Sequence, residues 1–194
     1  MSRLLVAMLL SVVGLVPAQA KELTFGGIEL GVTSCDEAES ILSGARSIEG
    51  RDTSAFTQGR MFRLAPGAMG VDFVRSGSVI CRALAERERS TDLLVNKSRE
   101  TVAAIELIID KRQAGTVADL LSQSYRQKGR KLPNLGEGQA QYVSDSGVTS
   151  ASISYVHLSF EAQVRMSTKE FDALFDAAVR NEEQQNQRKL EGAF

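Results

Sequence analysis

The sequence predicts an α+β fold: an antiparallel β-sheet with two to three helices packed on one face, fastened by one disulfide. Three observations carry this. Amphipathic helical spacing recurs in three separated segments, short strand-like runs lie between them, and those runs come in adjacent groups. Adjacent strand runs favour antiparallel pairing, whereas a parallel doubly wound sheet needs strict alternation of strand and helix. The 194 residues, 43% hydrophobic, suffice for one ordinary domain, and 23 basic against 24 acidic residues exclude a disordered chain or a strongly basic nucleic-acid binder.

The N-terminal segment reads as an export signal rather than as part of the fold. Met1 and Arg3 form a short positive region, and the apolar run Leu4 to Val16 is too short to span a bilayer. Pro17-Ala18-Gln19-Ala20 supplies the small-x-small cleavage pattern, so residues 1–20 are expected to be removed. That leaves 174 residues from Lys21, with 22 basic against 24 acidic because only Arg3 is lost. No cysteine follows the apolar run for lipid attachment. The expected location is the periplasm, with membrane contact at most peripheral.

Residues 21–180 are expected to form a single domain and 181–194 a polar tail, helical or frayed. Lys21 to Leu30 reads as a short strand bent at Gly26-Gly27. A first helix follows, capped either by Thr33 with Asp36 or by Ser34 with Glu37, and carrying Cys35, Ala38, Ile41 and Leu42 inward. Phe56–Leu64, Val71–Val74 and Ser78–Leu84 read as strands, with Pro66-Gly67 as a turn. The charged run from Ala85 to Asp92 reads as a solvated hairpin end. Leu93–Val95 and Thr101–Ile109 continue the sheet, the latter as its apolar central strand.

Thr116, with Asp119, is expected to cap a second helix that ends near Lys128-Gly129. Strands follow at Gly138–Ser144 and Ser150–Met166, joined by Asp145-Ser146-Gly147. The apolar alternation shifts between Tyr155 and Val156, which a bulge or a hairpin near Phe160-Glu161 explains. Ser167 and Glu170 box the start of a third helix with Phe171, Leu174, Phe175 and Ala178 on its inner side. Gly31-Val32-Thr33-Ser34 recurs as Gly147-Val148-Thr149-Ser150, but the first precedes a helix and the second a strand, so the match is read as chance.

Export gives the cysteines their meaning. Cys35 and Cys81 are the only two, and an oxidising compartment favours pairing them. They lack the Cys-x-x-Cys spacing of a redox pair, so a structural clamp between the first helix and the Ser78–Leu84 strand is expected. His157 is the only histidine, and every histidine-dependent scheme must use it. It is read as a sheet histidine among Tyr155, Val156, Leu158 and Phe160. There is no Gly-x-Ser-x-Gly elbow, His-Glu-x-x-His pair, cysteine cluster or EF-hand spacing. Gly136-Glu137-Gly138 fails as a dinucleotide fingerprint because Gln141 takes the third glycine position. No cofactor and no metal are expected. One charge concentration remains: Arg126, Lys128, Arg130 and Lys131, either cations complementing a helix C-terminus or a basic loop that meets an acidic partner or anionic head groups.

The segment Phe25-Gly-Gly-Ile-Glu-Leu-Gly-Val-Thr33, followed by a capped amphipathic helix, resembles two groups of envelope modules. The small outer-membrane assembly lipoproteins and the secreted β-lactamase inhibitory proteins share an Ile-x-x-Gly-Met-Thr-like opening before their first helix. Here Ile28, Gly31, Val32 and Thr33 carry the likeness, with valine where those families favour methionine. A cysteine pairing between that helix region and a following strand is also similar to the inhibitory protein. The resemblance covers about 20 residues, implies a helix-on-sheet module that binds proteins, and carries no partner over. The missing lipidation cysteine argues against an assembly lipoprotein.

The function expected from these readings is non-enzymatic protein binding in the periplasm, as an inhibitor or immunity protein that neutralises an envelope-acting toxin or hydrolase. Its partner is another protein and not a nucleic acid. An envelope assembly or maintenance factor, and a hydrolase built on His157 or on carboxylates paired in space, are the alternatives.

Overall fold

The computed structural model describes residues 24–83 and 100–191. The expected signal peptide, the charged hairpin end and the Leu93–Val95 strand lie outside those residues. The described fold is α+β. In chain order the elements are β1 (Thr24–Phe25), β2 (Ile28–Glu29), α1 (Cys35–Gly44), β3 (Ile48–Thr53), β4 (Gln58–Leu64), β5 (Val74–Ala83) and β6 (Glu100–Asp110). Then come α2 (Ala114–Ser124), β7 (Arg126–Lys131), β8 (Gly138–Val143), β9 (Thr149–Tyr155), β10 (Glu161–Thr168) and α3 (Lys169–Glu191).

Eight strands form one antiparallel sheet in the order β3-β4-β5-β6-β10-β9-β8-β7. The order exposes a tandem plan that the sequence does not display. Each half is a helix followed by a four-stranded meander, and the two halves join along β6 and β10. Glu106 stands opposite Arg165 on that seam, and their side chains are ion-paired at 2.8 Å. The Gly-Val-Thr-Ser match plays no part in this: Gly31–Ser34 leads into α1, whereas Gly147–Ser150 enters β9.

The sheet is covered unequally on its two faces. Alternation along β9 buries Ala151, Ile153 and Tyr155 on the face beneath α1 and α2, and sends Ser150, Ser152 and Ser154 to the other. On the helix side Cys35, Ala38 and Leu42 of α1 and Ala114, Ala118 and Leu121 of α2 pack onto Val79, Val102, Ile105, Leu107 and Ile109. Each wholly buried aliphatic side chain here stabilises the fold by about 1.5–3 kcal/mol. Two helices therefore share one face as expected, and α3 crosses the opposite face. There Phe171 is wholly buried with Ile80, Ala103 and Ala104, and Phe175 packs beside them. Beyond Arg180, α3 continues to Glu191, and its residues 181–188 are polar and exposed.

Several local readings are corrected. Residues 24–29 form a small separate hairpin rather than a strand of the main sheet; Gly26 and Gly27 both adopt positive φ, as its tight turn requires. Ser34, not Thr33, caps α1 by accepting from the Glu37 amide, while the Thr33 hydroxyl accepts from the Glu29 amide. Val74 and Ser78–Ala83 belong to one strand, β5, and β3 is a strand the apolar pattern did not mark. Thr116 lies inside α2, because the helix begins at Ala114 after a 3-10 turn capped by Asp110. At α3, Thr168 takes the cap by accepting from the Phe171 amide, and Ser167 instead donates to Asp172 at 2.6 Å.

Candidate functional site

The Cys35–Cys81 pair forms the disulfide, with Cα atoms 6.0 Å apart, joining the first residue of α1 to β5. It is buried in the helix-side core and serves the scaffold. Arg60 reinforces the same corner from β4, reaching Asp36 and Glu39 of α1 and Glu100 of β6. The hydrogen bond to Glu100 is the main cause holding the Arg60 guanidinium above its ordinary pKa.

The four basic candidates do not form a loop at a helix end. Arg126, Lys128, Arg130 and Lys131 lie on β7, the last strand of the sheet, and all six residues of β7 are exposed. The second helix stops at Ser124 and the chain turns straight into this strand. Arg130 pairs with Asp119 of α2 at 2.6 Å, and that hydrogen bond raises its pKa. Arg126, Lys128 and Lys131 make no ion pair among the described residues.

His157 is also relocated. It lies not inside a strand but in the turn of residues 156–160 between β9 and β10, where it is exposed and makes no hydrogen bond or ion pair among the described residues. The hairpin at Phe160-Glu161 thus explains the shift in alternation. No group of three or more metal-ligating side chains occurs among the described residues.

What the structure builds around His157 is an apolar end. Leu135 of the β7–β8 loop is 84% exposed, and Val156, Leu158 and Phe160 of the β9–β10 loop are 64%, 79% and 83% exposed. These side chains project from backbone that is tightly held. The Tyr155 hydroxyl donates to the Pro133 carbonyl at 2.6 Å, the Lys111 ammonium sits 4.4 Å from the Tyr155 ring centroid, and it also donates to the Gly136 carbonyl. Burial pushes the Tyr155 hydroxyl pKa up. Gly138 is required here, because any Cβ at that position would collide with the Tyr155 ring.

The base of the β9–β10 loop is fixed as firmly. The Lys111 amide donates to the Phe160 carbonyl at 2.9 Å, and Ser159 exchanges hydrogen bonds with the Glu161 backbone. Beneath it Arg75 bridges Asp110 and Glu161, and Arg112 pairs with Asp110 at 2.7 Å. The Arg112 side chain and amide hold the Asp110 carboxyl well below the usual carboxylate range. Beside the loop runs a shallow depression of about 420 Å³ lined by Ile108, Gln139, Ser154, Tyr155 and Gln163. This arrangement suits contact with a surface. The lining of the depression also carries Glu137, Ser159 and Glu161.

Comparison with known proteins returned no matching family model, no matching curated protein and no matching solved structure.

Sequence reasoning did not single out Leu135, Val156, Leu158 or Phe160 as functional. A signal was present: the alternation that shifts after Tyr155 places three apolar residues at 156, 158 and 160 out of phase with the inward positions 151, 153 and 155.

Proposed function

We propose that this chain is a non-enzymatic protein-binding module of the periplasm, acting as an inhibitor or immunity protein that neutralises an envelope-acting toxin or hydrolase. The observation that carries the reading is Leu158. It holds a left-handed backbone conformation, φ +62°, while its side chain points into solvent. A non-glycine residue pays about 1–2 kcal/mol for that conformation, and Leu158 recovers none of it by burial. Glycine or asparagine would serve the turn better. A strained, exposed leucine between exposed Val156 and Phe160, on a firmly hydrogen-bonded base, supports selection for contact with a partner. The buried disulfide agrees with an oxidising compartment.

The test is affinity capture from periplasm with the mature chain, with neighbouring gene products offered as purified baits. The expected result is a retained envelope hydrolase or toxin whose activity falls on binding. The double variant Leu158→Ser/Phe160→Ser should weaken that complex about 30-fold, as for two apolar anchors of about 1 kcal/mol each. Undiminished binding by the double variant refutes the assigned surface. Detergent sensitivity on deletion alone, with no toxin present, transfers the chain to envelope assembly, and hydrolysis lost in His157→Ala transfers it to the enzymes.

A further inference from the structure

The two edges of the sheet differ in a way that bears on partner choice. On β3 two of the three charged residues are paired within the chain, Arg51 with Glu39 at 2.8 Å and Asp52 with Arg63 at 3.2 Å, and the third, Glu49, is an anion. On β7 Arg130 alone is ion-paired among the described residues. The register sets Arg126 opposite Val143 and Lys131 opposite Gln139, placing both cations on the face away from α2, while Arg130 opposite buried Ala140 points toward it. Lys128 sits at the register shift between Gln127 and Gly129. Among the described residues, three cations without an ion pair therefore line a fully exposed strand that hydrogen-bonds to a neighbouring strand on one side only.

We propose that β7 is a strand-addition edge whose occupant is an extended acidic segment of a partner protein. The backbone donors and acceptors on the open side of β7 supply the template. The cations supply the choice. A second copy of this chain is a poor occupant, because antiparallel pairing of two β7 strands sets like charges against one another. An acidic strand meets the opposite condition and takes the ninth place in the sheet. The inference rests on the protein-binding reading only for the origin of the strand, since β7 is separate from the exposed side chains of the β9–β10 loop.

The experiment uses the mature chain and a short acetylated peptide alternating glutamate and valine, with hydrogen exchange at β7 and binding affinity as readouts. The glutamate peptide should slow exchange of β7 amides, and added salt should weaken it. The variant Arg126→Glu/Lys131→Glu should bind it about tenfold less tightly. The same peptide N-methylated at alternate residues keeps its charge but loses its backbone donors, and it should not bind. Binding of the methylated peptide, equal binding of a lysine–valine peptide, or unchanged β7 exchange at saturation overturns strand addition. The Leu158→Ser/Phe160→Ser variant should take up the glutamate peptide as the wild type does. Failure of the apolar surface and failure of the β7 edge are thereby read separately.

Discussion

The hydroxyl of Tyr155 donates a 2.6 Å hydrogen bond to the carbonyl of Pro133, tying the β9–β10 loop to the β7–β8 loop across one end of the sheet. Tyr155→Phe keeps the ring under Lys111 and removes only this tie. The expected loss of stability is about 1 kcal/mol, read by urea unfolding. The pH dependence is a second check. Burial raises the Tyr155 pKa in the folded state, so its contribution is complete below the unfolded value of about 10 and is lost as pH rises beyond it. Tyr155→Phe should flatten that alkaline decline; an unchanged decline would remove Tyr155 as its source.

Asp110 has the opposite sign. Hydrogen bonds from Arg112, and then from Arg75, lower its folded-state pKa, so its stabilisation is present above about pH 4 and is lost as pH falls toward the folded value. The stability gap between wild type and Asp110→Asn should therefore be constant near neutrality and narrow progressively below about pH 4. Urea titrations at a series of acidic pH values measure it, and a gap that persists undiminished into strong acid contradicts the assignment.

The disulfide closes a loop with a sequence separation of 46 residues, which includes all of β3 and β4. Loop-closure entropy gives about 3–4 kcal/mol for a bond of that span. Cys35→Ala/Cys81→Ala should lose about that much, and the wild type should lose a similar amount in reductant. A double variant as stable as the oxidised protein would show that the buried α1–β5 packing suffices alone.

Where the sequence was legible, one face of an element was buried and the other was not, or a local cap was explicit. Cys35, Ala38 and Leu42 gave α1, and the apolar run from Ala103 to Ile109 gave β6. The two edge strands failed for the converse reason. Arg-Gln-Lys-Gly-Arg-Lys in β7 and Ile-Glu-Gly-Arg-Asp-Thr in β3 carry almost no burial contrast, so no period of two survives in them. Without β7, its cations read as a helix end. The tandem plan was hidden because α1 is introduced by Ser34 and α2 by a 3-10 turn under Asp110, two solutions with no shared motif.

Tyr142 supplies a test of packing on the helix side of β8. Its side chain is almost wholly buried and its hydroxyl has no hydrogen-bond partner among the described residues. A buried, unsatisfied hydroxyl costs about 1–3 kcal/mol, whereas removing it leaves the aromatic packing in place. Tyr142→Phe should accordingly raise stability, by about 1 kcal/mol in urea unfolding. A loss of comparable size would mean that the hydroxyl is satisfied in solution.

Leu158 separates stability from function most sharply. Leu158→Gly relieves a positive-φ residue but also loosens the unfolded chain, and relief of about 1–2 kcal/mol outweighs an entropic penalty of about 0.5–1 kcal/mol. The variant should thus be slightly more stable than wild type in urea while binding its partner less tightly. Leu158→Asn should follow the same direction, since asparagine tolerates the conformation without the entropy of glycine. If instead both variants lose stability, the side chain supports the fold, and the case for a surface kept for contact fails with it. If stability rises and affinity falls together, the strain at Leu158 is explained by what the loop binds.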